Sequence, residues 1–271
     1  MNPVFITIGN FELRYYTLIV LIVVFLGIGI MQAEAKRFNV KKDFIFNMCF
    51  WMVIFGLLGA RAYFVIFNWG YYSNNIREIF QTWHGGLAIH GGIIVGIIVA
   101  YLYCKKYKAR FLRYMDFGVV ALLFAQAVGR WGNFFNGEAH GVETTASQIQ
   151  NWFTPNFVVQ GMNIDGVYYI PTFYYEFLAS IGLLILLLIF RRFKGIKVGT
   201  ISALYLIGHG AIRFLIEASR TDSLMIGGFM MAQIVSVIMI FAGLIILMNN
   251  FRKGKFEDLY NDPNNIEKNM F

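Results

Sequence analysis

The sequence predicts an all-α integral membrane protein with seven transmembrane helices, its N-terminus outside and its C-terminus cytoplasmic. Three observations carry that expectation. Of the 271 residues, 58% are hydrophobic and only 14% charged, against roughly 25% charged in a soluble domain, and the mean hydropathy is +0.59. The apolar residues gather in runs near the ~20 residues that one bilayer crossing needs. The lysines, finally, fall only after alternate runs, and this bias sets topology.

The first run, 15–32, opens on Tyr15 and Tyr16, as an aromatic belt would, and closes into Lys36, Arg37, Lys41 and Lys42. Ala33-Glu34-Ala35 loosely resembles a cleavage site, but no basic segment precedes the run, so a retained helix is expected. The second run is 44–67. The third, 87–104, is followed by Lys105, Lys106, Lys108, Arg110 and Arg113. The fourth, 117–135, turns polar in its outer third and leads into the longest outer loop, 137–171. The fifth, 172–190, starts after Pro171 and ends before Arg191, Arg192, Lys194 and Lys197. The sixth is 198–217 and the seventh 226–249, followed by a tail, 250–271, holding Arg252, Lys253, Lys255 and Lys268. These alternate loops hold 17 of the 23 basic residues, which places them in the cytoplasm. They also account for the net charge of +8 without nucleic acid. A single transmembrane domain over 1–271 is expected. Cys49 and Cys104 form no disulfide or metal pattern, and no pair of histidines has metal-ligand spacing. No metal or cofactor is expected.

Six basic residues escape this sorting: Arg14, Arg61, Arg77, Arg130, Arg213 and Arg220. All are arginine, whose rigid fork matches phosphate or carboxylate, so anion recognition is expected of them. The centre is Gly129-Arg130-Trp131-Gly132-Asn133-Phe134-Phe135-Asn136-Gly137-Glu138-Ala139-His140-Gly141. A charge at membrane depth costs at least ~2.5–3.5 kcal/mol and marks a site more often than an accident. Measured at 1.5 Å per residue from the nearest cytoplasmic charge, Arg130 stands about 21 Å, His90 about 22 Å and Arg213 about 24 Å into the membrane. Three helices thus bring polar groups to the level of an outer-leaflet headgroup.

Each group has a plainer reading. Arg213, Glu217 and Arg220 share one helix face, where Glu217 could simply neutralise a helix end. It cannot occupy the whole fork of Arg213 with a second arginine one turn on. Arg130 and Asn133 share a face, and Glu138 follows as the helix breaks at Gly137. Close helix packing would explain the glycines but neither Arg130 nor Glu138. His90, before Gly91 and Gly92, could be a satisfied core histidine, yet it lies at the depth of two arginines. His84 fits the interface, and Glu176 at the start of the fifth run fits a helix-dipole partner.

These motifs resemble bacterial prolipoprotein diacylglyceryl transferases over about 14–249. The signature Gly129 to Glu138 with Gly141, the His-Gly-Gly ending at Gly92, and Arg213-Phe214-Leu215-Ile216-Glu217 carry the likeness. The resemblance implies a multi-pass enzyme of the bacterial cytoplasmic (inner) membrane with its site near the outer leaflet. It would move the diacylglyceryl group of phosphatidylglycerol, a membrane lipid, to the lipobox cysteine of prolipoprotein signal peptides, releasing glycerol phosphate. This is the first step of lipoprotein maturation. It implies catalytic roles for His90, Arg130, Glu138 and Arg213, with His90 or Glu138 as base. It implies substrate-binding roles for Tyr16, Asn133, Gly141, Glu217, His209 and Arg220. Three positions depart from the family pattern. Ile170 precedes Pro171 where histidine is expected, His209 stands where tyrosine is usual, and Arg220-Thr221-Asp222 lacks a proline. His209 shares the Arg213 face and is expected to take over that hydrogen bond. Two other function classes fit less well. An anion channel needs polar residues through the whole membrane depth, whereas the inner halves of these runs are apolar. A non-catalytic lipid binder would tolerate charge-conserving changes at Glu138 and His90.

Overall fold

Apolar runs become helices because a helix satisfies its backbone N–H and C=O groups within itself, the only choice in hydrocarbon short of a closed barrel. The computed structural model describes residues 4–8, 11–82, 85–138, 140–221 and 225–262. His84, Asp222 and Lys268 lie outside them, as does the side chain of Arg14. A hairpin of β1 (Val4–Ile8) and β2 (Phe11–Arg14) precedes α1 (Tyr15–Lys36). Next come α2 (Lys42–Phe67), the single turn α3 (Trp69–Tyr72), a 3-10 turn (Ile76–Phe80) and α4 (Ile89–Lys106). α5 (Phe111–Asn136) leads into a loop built from β3 (Glu143–Thr144), α6 (Ala146–Gln150), α7 (Asn156–Gly161), β4 (Asn163–Ile164) and β5 (Val167–Tyr169). The chain continues through α8 (Thr172–Phe190), α9 (Thr200–Glu217), the hairpin β6 (Met225–Ile226) and β7 (Phe229–Met230), and α10 (Met231–Arg252).

Among the described residues seven helices have 18 to 26 residues. Five of them, α1, α2, α5, α8 and α10, have the length and apolar composition of a membrane crossing. The chain is a mostly helical, multi-pass membrane protein. Most boundaries differ from the sequence reading by a few residues, α5 beginning at Phe111 and not at 117 and α1 running on to Lys36, and two of the differences come from glycine. Gly85 and Gly86 take φ of +89° and +76°, so α4 begins at Ile89, two residues later than expected. Gly227 and Gly228 take +57° and +86°, the two positive angles of a tight hairpin turn. The last long helix therefore starts at Met231 and not at 226.

The described chain divides into two compact units, one of residues 32–114 and one of residues up to 31 and from 115 onward. In the first, α2 and α4 meet along a seam of small residues. A Cβ on Gly91 would stand 2.4 Å from the Gly59 carbonyl oxygen, and one on Gly56 would stand 3.4 Å from that of Gly92. Such backbone approach is the association mode of small residues in membranes. Arg61, buried on α2, serves this unit too. Its Nε donates to the Ile79 carbonyl (2.8 Å), Nη1 to Gly85 and Gly86 (2.9 Å each), and Nη2 to Glu78 (2.5 Å) and Gln81 (3.5 Å). The guanidinium also lies 5.3 Å from the centre of the Tyr72 ring. Its whole fork is occupied by backbone, which corrects the expectation that Arg61 recognises an anion. It clamps the 76–86 loop onto α2.

In the second unit α9 packs closely on α10. A Cβ on Gly243 would meet the Ala203 carbonyl oxygen at 2.7 Å, and one on Gly210 the Ser236 carbonyl oxygen at 2.9 Å. The start of α9 is fixed by Asp116 of α5. Its carboxylate accepts from the Gly199 N–H (2.6 Å), the Ser202 N–H (2.8 Å) and the Ser202 hydroxyl (2.7 Å). One apolar cluster, with Val119, Val120 and Leu123 of α5 against Leu187, Ile201 and Tyr205, fills the space between these helices. A second joins Phe134, Phe173 and Tyr174 to Ile149, Val158, Val159 and Met162 of the loop between α5 and α8. With its three-stranded sheet in the order β3-β5-β4, that loop is an ordered cap on its own helices. α5 and α8 are therefore held at both ends.

Candidate functional site

α5 runs to Asn136 and stops in a glycine cap. Gly137 has φ +66°, its N–H donates to the Phe134 carbonyl (3.2 Å) and the Glu138 N–H to the Asn133 carbonyl (3.1 Å). This is the Schellman pattern, which needs a residue tolerant of left-handed backbone at that point. It fixes where the last turn of α5 ends and with it Arg130 and Asn133. Next to them, Gly132 lets the ring of Tyr16 lie against the helix, 2.6 Å from where a Cβ would stand. Tyr15 stacks on Phe135 at 4.7 Å, so the start of α1 is held along the same turn.

The centre of the unit is a cluster of charge. Arg130 Nη2 lies 2.5 Å from one oxygen of Glu176, on α8. The other oxygen of Glu176 accepts from Arg213 Nη1 of α9 at 3.2 Å. Arg213 Nη2 pairs with Glu217 at 2.6 Å, and Arg220 Nε stands 4.0 Å from the same Glu217 oxygen. Glu176 and Glu217 are each 2% exposed. Carboxylates so deeply buried must be paired, since removing one partner of a buried ion pair costs about 3–5 kcal/mol. The arginines are less enclosed, at 21% side-chain exposure for Arg130, 19% for Arg213 and 13% for Arg220. Among the described residues Nε and Nη1 of Arg130 have no hydrogen-bond partner. The acids are buried and the arginines are partly exposed.

Below the cluster a polar column continues. The Tyr205 hydroxyl donates to Gln126 Oε1 at 3.0 Å, and the Tyr205 ring stacks parallel on His209 at 5.4 Å. His209 is buried and its Nδ1 has no hydrogen-bond partner. Among the described residues it makes no hydrogen bond to Arg213, contrary to expectation. The two rings are stacked one helical turn apart, which holds the imidazole plane against tyrosine.

The remaining expected residues lie as follows. Glu138 is exposed and accepts from Asn136 Nδ2 at 2.9 Å. Gly141 pairs with Arg220 in an isolated bridge and donates its N–H to the Ile170 carbonyl at 2.8 Å. A Cβ there would stand 2.9 Å from both the Ile170 Cβ and the Ser219 carbonyl oxygen. Gly141 thus ties the loop between α5 and α8 to the end of α9, and Ile170 contributes backbone. His90 belongs to the other unit, half-buried with its ring 6.4 Å from that of Tyr63. Arg77 is exposed in the 3-10 turn. Among the described residues no group of three or more His, Cys, Asp and Glu could hold a metal ion. Sequence reasoning missed Glu176, Gln126 and Tyr205 as parts of the site. Spacing held a signal for two of them, since Gln126 lies one turn below Arg130 and Tyr205 two turns below Arg213.

Residues 3–249 match the family model described as prolipoprotein diacylglyceryl transferase. The chain is 39% identical over 263 residues to the phosphatidylglycerol–prolipoprotein diacylglyceryl transferase of Staphylococcus xylosus, covering 96% of this chain and 94% of that one. It is 40% identical over 248 residues to the protein of the same name from Listeria welshimeri, covering 91% and 89%. To that from Staphylococcus carnosus it is 40% identical over 258 residues, covering 95% and 92%.

Proposed function

Since the chain belongs to the prolipoprotein diacylglyceryl transferase family, we propose that its arginine cluster binds the phosphodiester of phosphatidylglycerol and releases it as glycerol phosphate. The diacylglyceryl group passes to the lipobox cysteine of a prolipoprotein. The thiol gives its proton to a base, the sulfur attacks the glycerol carbon that carries the phosphate oxygen, and that carbon–oxygen bond breaks. A carbon–sulfur thioether forms, and the bonding electrons leave with glycerol phosphate. Negative charge therefore grows on the phosphate during the step. Donors already fixed around it stabilise the transition state more than the ground state.

The observation that carries this reading is the divided use of Arg130. One nitrogen is held by Glu176 while, among the described residues, Nε and Nη1 have no partner, on a side chain with 21% exposure. That geometry holds a guanidinium in place and leaves donors on Nε and Nη1, on different edges of the fork, for phosphate oxygens. Arg213 and Arg220 add charge on the same side. Asn133 and Tyr16 orient the headgroup by hydrogen bonds, with Gly141, Glu217 and His209 shaping the surroundings. A thiol of pKa near 8.5 needs deprotonation to react, and His90 or Glu138 supplies the base. Seven crossings, the N-terminus outside, a site at the outer leaflet and residence in the bacterial cytoplasmic membrane complete the reading.

The test is lipid transfer by purified protein in detergent, with phosphatidylglycerol and a lipobox peptide. Wild type adds the mass of one diacylglyceryl group to the peptide and nothing to a Cys→Ser peptide. Arg130→Lys keeps the charge but loses the fork, and its rate falls by about 10²–10³. No mass gain with any lipid donor overturns the transferase reading.

A further inference from the structure

We propose that Gln126 and His209 donate hydrogen bonds to the ester carbonyls of the lipid, which makes the protein selective for ester-linked over ether-linked phosphatidylglycerol. This rests on the transferase reading above. Gln126 precedes Arg130 by one turn of α5, and His209 precedes Arg213 by one turn of α9. Each therefore lies about 6 Å further from the end of its helix than the arginine does. Tyr205, itself buried, arranges both. Its hydroxyl donates to Gln126 Oε1 at 3.0 Å. The amide oxygen is thus occupied, and among the described residues the amide nitrogen has no partner. The Tyr205 ring stacks on the imidazole at 5.4 Å, with 6° between the planes. His209 is 6% exposed, and among the described residues neither of its ring nitrogens has a hydrogen-bond partner.

Buried polar groups without partners cost stability, so a pair of them side by side points to a ligand that completes them. An amide nitrogen brings two donors and an imidazole at least one. The order of groups along the lipid says what they meet. With the phosphate at the arginines, the headgroup glycerol extends past the helix ends toward water. The carbon under attack lies on the other side of the phosphate, toward the middle of the helices. The neighbouring carbon carries one ester and the next carbon the other. Their carbonyls are the last acceptors before hydrocarbon, and they come at the level of Gln126 and His209. Holding them turns the attacked carbon so that its bond to the phosphate oxygen points at the arginines. Tyr205 is a positioning residue, because it acts only through the two donors it orients.

The experiment follows transfer to a lipobox peptide by the full-length protein in detergent. Two lipids are compared, diester and diether phosphatidylglycerol with chains of equal length. The diether has no carbonyl and leaves the donors unpaired, so wild type should favour the diester by about tenfold or more in kcat/KM. His209→Phe keeps a ring on Tyr205 but has no donor, and Gln126→Leu removes the amide. Each should lower kcat/KM for the diester about tenfold more than for the diether, which shrinks the preference. His209→Gln returns a donor and should recover part of it. Tyr205→Phe keeps the stack, releases the amide and should weaken the preference as Gln126→Leu does. Equal losses on both lipids would make the pair a brace or a contact to the peptide and overturn the proposal. Should the variants not fold, wild type still decides, because equal use of the two lipids overturns it. Failure of the transferase reading looks different. No lipid group then reaches the peptide from either donor, while equilibrium binding of the two lipids still reads the ester contact.

Discussion

The ring of Tyr16 lies against Gly132, with its Cδ2 only 2.6 Å from where a Cβ would stand. No side chain fits between them, so the start of α1 and the last turns of α5 are in register at the arginine cluster. Tyr16 is 42% exposed on its other side, so it can swing away. Gly132→Ala should therefore displace the ring without unfolding the unit. We expect transfer to drop about as far as in Tyr16→Ala while the melting temperature changes little. A double-mutant cycle decides the matter. Adding Gly132→Ala to Tyr16→Ala should cost almost nothing further, because contacting residues are non-additive. Additive losses would mean that Gly132 acts through something other than Tyr16.

Arg61 offers the opposite test. Among the described residues all of its hydrogen bonds go to backbone carbonyls between 78 and 86, so its substitution should loosen that loop. Arg61→Lys keeps the charge but cannot reach these acceptors with one ammonium. Leaving buried carbonyls without donors costs about 1–3 kcal/mol each. We expect a lower melting temperature and faster trypsin cleavage after the exposed Arg77. Product-inhibition constants for glycerol phosphate should not move. A selective change in phosphate binding with normal loop protection would restore Arg61 to anion recognition.

The contrast between Arg61 and Arg130 marks what the sequence could convey. Both are arginines within apolar runs, and the cost of burying such a charge singles them out equally. What separates them is the partner, and the carbonyls on Arg61 come from 17 to 25 residues away. Spacing along one helix does not encode that. The long helices were legible because hydrocarbon imposes their length and composition, and the break at Gly137 because a helix end demands it. Glu176 was obscured by its place near a helix start, where the macrodipole already explains an acid. Two Gly-Gly pairs read alike in sequence, yet Gly91-Gly92 lies in a helix seam and Gly227-Gly228 in a hairpin turn. Neighbours distant in the chain decide between them.

His90 and Gly91 are adjacent but should fail in different ways. A Cβ on Gly91 would collide with the Gly59 backbone at 2.4 Å and with the Tyr63 Cβ, neither of which is a flexible side-chain tip. Gly91→Ala should push α2 and α4 apart and cost about 1–3 kcal/mol, the usual range for overpacking. His90→Ala removes a half-buried ring from the same turn and should leave the melting temperature within about 0.5–1 kcal/mol equivalent of wild type. Its transfer rate should nevertheless fall by about 10²–10⁴ if His90 is the general base. Rate loss in Glu138→Gln with an active His90→Ala would move that role to Glu138.

Asp116 links α5 and α9 at their ends away from the arginines. Its carboxylate receives three donors from the start of α9, and α5 carries it 14 residues below Arg130. Replacing a helix cap costs about 0.5–2 kcal/mol, and the buried Gly199 and Ser202 donors left unpaired add about 1–3 kcal/mol each. Asp116→Ala should therefore be among the more destabilising single changes in this unit, lowering the melting temperature well below that of Ser202→Ala. Asp116→Asn keeps one acceptor oxygen and should fall between them. If the cap only fixes the start of α9, each folded variant should retain the wild-type Ki for glycerol phosphate, since Arg213 lies more than three helical turns above Ser202. A shift in that constant with an unchanged melting temperature would instead mean that α9 slides along its axis as one rigid body. The Asp116 cap would then control the position of Arg213 at the site.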